Sequence, residues 1–160
     1  MSRIHVPIGI RFSDLDAYGH VNNAAMLTLL EESRIAVFWR GAHLGVDGVN
    51  DVAAPVTDIE AATTITLVAR QEVEYLAPIP YLRDPLDVQL WIGRLGGASL
   101  DACYEVCSPA EVEPATVYAR ATTTIVLVDA ASGRPRRITD GERAAWEQHL
   151  DDPVVFTKRS

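Results

Sequence analysis

The amino-acid sequence predicts an α+β domain in which one curved antiparallel sheet is wrapped around a single apolar helix. Residues 23–40 have helical periodicity and are apolar on almost every side, which is typical of a helix enclosed by other elements. Strand-like alternation fills most of residues 63–128, and successive strands joined by short turns pair antiparallel. A sheet of five to six strands around the helix satisfies both patterns.

The first strand and the helix are predicted from the positions of their apolar residues. The strand is expected at residues 4–12, because alternate residues are apolar there. The helix carries one continuous core stripe, which consists of Met26, Leu29, Leu30, Ser33, Ala36 and Val37. Asn22 is a favourable N-cap and Gly41 a favourable stop, so we expect a long helix that fills residues 23–40.

The later elements follow from alternation and from turn residues. Strands are expected at residues 63–75, 86–93, 100–107 and 115–128, with a short additional strand at residues 52–56. Thr139 and Glu142 have the spacing of a capping box, which predicts a final helix over residues 140–150. A chain of 160 residues fits one compact domain, which we assign to residues 1–150, with a C-terminal tail over residues 151–160.

The composition argues against several classes of function. Acidic residues outnumber basic ones by 22 to 14, so a nucleic-acid partner is not expected. No apolar run reaches the length of about 18 residues that a membrane span needs, and no signal peptide is recognisable, so we expect a cytoplasmic protein.

The two cysteines are expected to be free thiols. Cys103 and Cys107 would lie roughly 13 Å apart on one strand, too far for a disulfide. The cysteines and the four histidines lack metal-ligand spacing, so neither a metal nor another cofactor is expected.

The segment that leads into the helix has an unusual composition for a connector. It reads Asp14-Leu15-Asp16-Ala17-Tyr18-Gly19-His20-Val21-Asn22-Asn23. The first backbone N–H groups of a helix have no partner within the helix and lie at the positive end of its dipole. They can stabilise an oxyanion that forms on a carbonyl group. A nearby carboxylate can attack that carbonyl or activate a water molecule towards it, so the segment predicts a catalytic site.

The same segment, together with Glu31-Glu32-Ser33-Arg34, resembles the 4-hydroxybenzoyl-CoA thioesterase family and its acyl-CoA and acyl-ACP thioesterase relatives. The resemblance covers residues 5–150 and includes the strand that ends at the proline turn, Val73 to Pro80. It implies the hot-dog fold and hydrolysis of an acyl-CoA, or less often of an acyl-ACP, to a free acid and a thiol. Acyl-CoA is therefore the expected partner, and acyl carrier protein is the alternative carrier.

Four residues of this chain are expected to be catalytic, two of them by correspondence with that family. By the resemblance Asp16 is the catalytic carboxylate, acting either as a nucleophile or as a general base for water. The family's carbonyl-polarising N–H corresponds to the backbone N–H of Asn23. Gly19 would allow close approach of the backbone to the thioester, and His20 is expected to orient the substrate carbonyl or a water molecule.

Five further residues are expected to take part in substrate binding. Asn22 sets the helix end that binds the oxyanion. Many relatives have a tyrosine where this chain has Met26, which we expect to face the acyl pocket or a partner subunit. This difference leaves the catalytic loop intact but weakens any transfer of aryl or acyl specificity from the family. Arg70, Arg94 and Arg120 are the candidates for the phosphates of CoA.

Several alternatives stay open from the sequence. Glu31, Glu32 and Arg34 are most simply a charge cluster within the helix or between subunits, but Glu32 is the alternative base. Asp14 is expected to support the loop.

Two alternative functions also stay open. One is a hot-dog enoyl-thioester hydratase or dehydratase that uses His20, and the other is a non-catalytic acyl-thioester binder. The exposed edge of a single sheet predicts a homo-oligomer, either a dimer or a dimer of dimers.

Overall fold

The computed structural model describes residues 3–40, 57–58 and 63–158 of the chain. Its strands are β1 (Ile4–Ile8), β2 (Trp39–Arg40), β3 (Thr57–Asp58), β4 (Thr64–Tyr75), β5 (Leu86–Leu95), β6 (Ser99–Cys107) and β7 (Val117–Asp129). Its helices are a 3₁₀ turn (Phe12–Asp14), α1 (Asn23–Phe38) and α2 (Asp140–Glu147).

Five strands form one antiparallel sheet in the order β1-β5-β6-β7-β4. The predicted α+β class is therefore confirmed. The register shifts between Val68 and Arg70 on β4 and between Ile92 and Arg94 on β5, and such irregularities bend strands and increase their twist. Strand β4 lies at one edge of the sheet, while β2 and β3 form a short separate parallel pair.

Helix α1 packs its predicted stripe against one face of the sheet, which we call the inner face. All six stripe residues are buried, and Leu30 is fully inaccessible. The hydroxyl of Ser33 donates to the carbonyl of Leu29 at 2.9 Å, so this polar side chain is satisfied within the core. Leu27, in contrast, is 39% exposed. Within the described part of the chain, one side of α1 is therefore exposed to solvent.

Helix α1 is shorter than the long helix that the sequence predicts. It has 16 residues and ends at Phe38, because the backbone becomes extended at Trp39 (φ −107°, ψ 121°) and enters β2. The predicted stop, Gly41, and the additional strand at residues 52–56 lie outside the described residues.

Two other elements, β1 and α2, end earlier than the sequence predicts. Strand β1 stops at Ile8 instead of residue 12, because the chain turns into the 3₁₀ helix. The capping box of Thr139 and Glu142 is present at the start of α2, which ends at Glu147. Residues 151–158 form no helix or strand. This segment is hydrogen-bonded to the outer face of the sheet, where the indole N–H of Trp91 donates to the carbonyl of Asp152 at 2.9 Å.

Two smaller expectations can be compared directly with the structure. Cys103 and Cys107 are both buried and unbridged, so the prediction of free thiols is confirmed. None of the helices in the described ranges has the length and apolar character required to cross a membrane.

Candidate active site

The loop between the 3₁₀ turn and α1 is closed by its own backbone. The N–H of Asp16 donates to the carbonyl of His20 at 2.7 Å, and the N–H of Gly19 donates to the carbonyl of Asp16 at 3.1 Å. Gly19 has φ +76°, a conformation that costs glycine little and other residues more. The turn therefore depends on Gly19 for its backbone shape and holds the Asp16 side chain at its base.

The carboxylate of Asp16 is half-buried and has two different oxygens. Oδ1 accepts the backbone N–H groups of Tyr18 at 2.8 Å and His20 at 3.1 Å. Oδ2 has no hydrogen-bond partner among residues 3–40, 57–58 and 63–158. One oxygen thus fixes the orientation of the group, and the other is available to attack a carbonyl or to accept a proton.

The start of α1 supplies a hydrogen-bond donor. The side chain of Asn22 accepts from the N–H of Ala24 at 2.8 Å, as predicted for an N-cap, and the N–H of Asn22 donates to the carbonyl of Asp14 at 2.7 Å. Within the described part of the chain, the N–H of Asn23 has no acceptor. Since it lies at the positive end of the helix, it can polarise a carbonyl oxygen.

These groups meet at one open cavity of about 450 Å³. Asp16, His20, Asn23 and Met26 line it on one side, and residues 75–79 line it on the other. Met26 is almost fully buried and provides an apolar wall. Four of the nine predicted site residues are therefore gathered around one space, while Gly19 and Asn22 shape its edge through the backbone bonds described above.

Tyr75 is a cavity residue that the sequence analysis did not single out. Its hydroxyl donates to the backbone carbonyl of Asn23 at 2.9 Å, 52 positions away in the sequence. The side chain is half-exposed, and burial raises the pKa of its hydroxyl. The contact ties the end of β4 to the first residue of α1 and so helps fix the donor of the site.

Asp14 has a structural environment that contrasts with that of Asp16. Its side chain is buried, and its carboxylate accepts from the backbone N–H of Arg11 at 2.8 Å and from the Arg11 guanidinium at 3.0 Å. Burial by itself would raise the pKa of this carboxyl. The hydrogen bonds and the charge of Arg11 outweigh burial and lower the pKa below its ordinary value. Asp14 therefore supports the loop, as expected.

Glu32 does not share the cavity of Asp16. It lines a different depression with Arg11, Thr28 and residues 7–9. The helix places it there because Asn23 and Glu32 are nine positions apart, which is about 13.5 Å along the axis. The geometry of the single chain therefore favours Asp16 over Glu32 as the carboxylate beside the Asn23 N–H.

The three candidate arginines for CoA phosphates lie on the outer face of the sheet. Each has a carboxylate neighbour: Arg70 pairs with Glu72 at 3.5 Å, Arg94 with Asp101 at 2.8 Å and Arg120 with Glu74 at 3.9 Å. None of the three lines the cavity of Asp16 in the described chain. Nor does the described part contain a cluster of three or more His, Cys, Asp or Glu side chains that could hold a metal ion.

Comparison with known proteins gives a consistent result. Residues 10–151 match the model of the thioesterase-like superfamily. The uncharacterized protein YsmA of Bacillus subtilis (strain 168) is 29% identical over 137 residues, which cover 85% of this chain and 80% of that protein.

Solved structures are similar over most of the chain. A thioesterase from Thermus thermophilus, solved with coenzyme A and Zn, is 30% identical, with a TM-score of 0.63 over 90% of this chain and 92% of that one. A predicted thioesterase from Bacillus stearothermophilus is 24% identical, with a TM-score of 0.74 over 96% of this chain and 100% of its own. At 24% identity, the similarity to the Bacillus stearothermophilus protein shows a shared fold alone.

Proposed function

Because the chain belongs to the thioesterase-like superfamily and is a thioester hydrolase with the hot-dog fold, we propose that it hydrolyses an acyl-CoA and that Asp16 is its catalytic carboxylate. The observation that carries the proposal is the juxtaposition of Asp16 and Asn23 on one cavity. Asp16 presents an unpartnered Oδ2 within the described chain, and Asn23 presents an unpartnered N–H.

The proposed reaction begins with the thioester carbonyl oxygen at the Asn23 N–H, which stabilises the negative charge that develops there. Two routes are open to Asp16. As a nucleophile, it attacks the carbonyl carbon, the C–S bond breaks, the thiolate leaves and takes up a proton, and water then hydrolyses the acyl-enzyme anhydride. As a general base, it takes a proton from water while the water oxygen attacks, and it returns that proton to the leaving thiolate. His20 lines the same cavity and would orient the carbonyl or the water.

Coenzyme A is the proposed carrier, with acyl carrier protein as the alternative. The relative from Thermus thermophilus was solved with coenzyme A, which supports the choice for this chain. Arg70, Arg94 and Arg120 remain proposed contacts for the phosphates. To bind phosphates, these arginines would have to exchange their present carboxylate neighbours for phosphate oxygens. We propose the cytoplasm as the compartment, where the free thiols of Cys103 and Cys107 would stay reduced.

The reaction is tested by incubating the purified protein with a panel of aliphatic and aryl acyl-CoAs and measuring the release of free thiol. We expect turnover of at least one ester, with the free acid as the second product. Release of no thiol from any member of the panel would contradict the proposal. Tight binding of acyl-CoA without turnover would indicate a non-catalytic binder.

The same samples distinguish the hydratase alternative. An enoyl-thioester hydratase would remove the enoyl absorbance of a crotonyl thioester by adding water across the double bond, and the thiol would stay esterified. A thioesterase would release the thiol. Loss of the absorbance without thiol release would therefore favour the hydratase.

We further propose that the protein forms a homodimer through β4, with a dimer of dimers as the larger alternative. This edge strand exposes three apolar side chains, Ile65 at 45%, Leu67 at 53% and Val68 at 50%. Unpaired edge strands with apolar side chains readily pair with another copy, which would continue the sheet across two subunits.

The subunit proposal is tested by light scattering at micromolar concentration. We expect the wild type to have at least twice the mass of one chain and Leu67→Lys to shift towards the monomer, because the new charge would be placed in the pairing edge. Val155→Lys is a matched control, since Val155 is 79% exposed on the C-terminal segment. A monomeric wild type would contradict the proposal.

A further inference from the structure

A second cavity lies between the C-terminal half of α1 and the β4 edge of the sheet. Its volume is about 190 Å³, and it is more enclosed than the cavity of Asp16. Apolar side chains, including Phe38, Leu100 and Leu127, form much of its wall. The only charged residues in the described lining are Glu31 and Arg34. This space could accept an apolar chain, and Arg34 adds a positive charge to its wall.

Arg34 lacks the close partners of two other half-buried arginines. Arg136 pairs with Glu142 at 2.7 Å. Arg143 has no carboxylate within 4.0 Å among the described residues, but it donates to the carbonyl of Gly96 at 2.7 Å. Among the described residues, no carboxylate lies within 4.0 Å of the Arg34 guanidinium, and its hydrogen bond to the hydroxyl of Thr123 is long, at 3.5 Å. Glu31 is exposed to solvent. A half-buried cation without a counterion is unfavourable, so Arg34 is suited to an anionic ligand group.

Two more polar groups lie near Arg34 on the inner face of the sheet. The hydroxyl of Tyr104 and the amide nitrogen of Gln71 are both buried without a hydrogen-bond partner in the described chain. Gln71 pairs in register with Thr123. Burial raises the pKa of Tyr104, and the charge and hydrogen-bonding capacity of Arg34 and Thr123 partly oppose this effect. Neither Tyr104 nor Gln71 is among the described residues that line the cavity itself. Of the polar groups in this region, Arg34 is the one that both lines the cavity and carries a positive charge without a counterion in the described chain.

We propose, on the basis of the acyl-CoA thioesterase function, that this enzyme takes acyl groups that end in a carboxylate and that Arg34 binds that carboxylate. A carboxylate supplies the negative charge that Arg34 lacks and accepts hydrogen bonds from its guanidinium. The apolar wall of this cavity would contact the part of the methylene chain next to the carboxylate. Glu31 at the solvent side would disfavour an anion only weakly, because water screens exposed charges.

The length of the helix indicates the length of the acyl group. Asn23 and Arg34 are eleven positions apart, about 16 Å along the axis, and a helical side chain leans back towards the N-terminus. An extended chain gains about 1.2 Å per bond, so roughly ten bonds would cover about 12 Å, the distance that remains if the Arg34 side chain leans back by about 4 Å. The acyl groups tested should therefore span a series of lengths around this value. An optimum at a clearly different length would indicate that the acyl group runs from the Asp16 of one subunit to the Arg34 of its partner.

The first experiment compares CoA esters of equal chain length that end in a carboxylate or in a methyl group. We expect kcat/KM of the wild type to favour the carboxylate by at least about tenfold, as is typical of a charged hydrogen bond. In Arg34→Gln the ratio of the two values should fall to about one, while Arg34→Lys should retain part of it. Arg134→Gln, on an exposed turn, is the matched control and should keep the ratio. Equal values in the wild type, or an unchanged ratio in Arg34→Gln, would overturn the proposal.

The second experiment separates this proposal from the hydrolytic function. CoA thioethers with an S-(ω-carboxyalkyl) or an S-alkyl chain cannot be hydrolysed, so calorimetry measures binding alone. We expect the carboxylated thioether to bind the wild type at least about tenfold more tightly and Arg34→Gln to lose this difference. Hydrolysis of acyl-CoAs with no such difference would refute the carboxylate site alone. A binding difference without hydrolysis of any ester would refute the hydrolytic function alone.

Discussion

Replacement of Asp16 by asparagine is expected to lower kcat for thioester hydrolysis by about 10²- to 10⁴-fold, the range typical of a lost general base. A nucleophilic carboxylate would give at least as large a loss. Asparagine retains an Oδ1 that can accept the N–H groups of Tyr18 and His20, so the loop should keep its shape. The expected result is therefore an inactive protein with an unchanged melting temperature, measured by thiol release and by circular dichroism.

Asp14→Asn is the matched control, because it makes the same chemical change two positions away. Arg11 lowers the pKa of Asp14 in the folded protein, so the charged form stabilises the fold. That stabilisation is present in full above the ordinary pKa of about 3.9 and is lost as the pH falls through the lowered value. Asp14→Asn should therefore melt earlier than the wild type at neutral pH, and the difference should shrink in acid.

The two variants together identify the role of each carboxylate. If Asp16→Asn retained the wild-type rate, Asp16 would not be the catalytic group, and Glu32 would become the candidate to test. If Asp16→Asn were inactive but also much less stable, the loss of activity would reflect unfolding of the loop. A melting difference for Asp14→Asn that did not vary with pH would contradict the ion pair with Arg11.

Replacement of Leu30 by alanine is expected to lower the free energy of unfolding by about 3 kcal/mol, within the range for a fully buried leucine. Leu30 lies in the middle of α1 and is 0% exposed. Its removal would leave a void between the helix and the inner face of the sheet. For a chain of this size, the melting temperature should fall by roughly 10 °C, which calorimetry or chemical denaturation would measure.

Leu27→Ala provides the control on the same helix. Leu27 is 39% exposed, so the same truncation should cost less than about 1 kcal/mol in one subunit. Equal losses for the two variants would mean that the exposed side of α1 is covered as fully as the stripe. Such a result would point to an extensive subunit contact on that side.

Local sequence signals determined much of the fold. The stripe on α1, the Asn22 cap and the capping box at Thr139 each depend on residues within a few positions of one another. Their structures agree with the prediction. The alternation of β7 likewise separates the buried Ala121 from the more accessible Arg120, and this pattern places Arg120 on the outer face.

The features that the sequence did not reveal depend on contacts between distant segments. The bond from Tyr75 to Asn23 requires the end of β4 to meet the start of α1, which no local pattern specifies. The early end of α1 at Phe38 reflects the pairing of Trp39 with β3. The irregularity between Ile92 and Arg94 shifts the alternation of β5. Alternation counted from the start of the strand therefore assigns Arg94 to the wrong face of the sheet.

The placement of charge on the two faces of the sheet affects how salt dependence should be interpreted. The outer face carries exposed ion pairs, which contribute about 0–1 kcal/mol each and weaken with ionic strength. The inner face is held by apolar packing against α1, which moderate salt hardly changes. At 0.15 M the screening length is about 8 Å. A strong effect of salt on kcat/KM would therefore report the charge of the ligand and the surface that attracts it, since the fold itself should respond little.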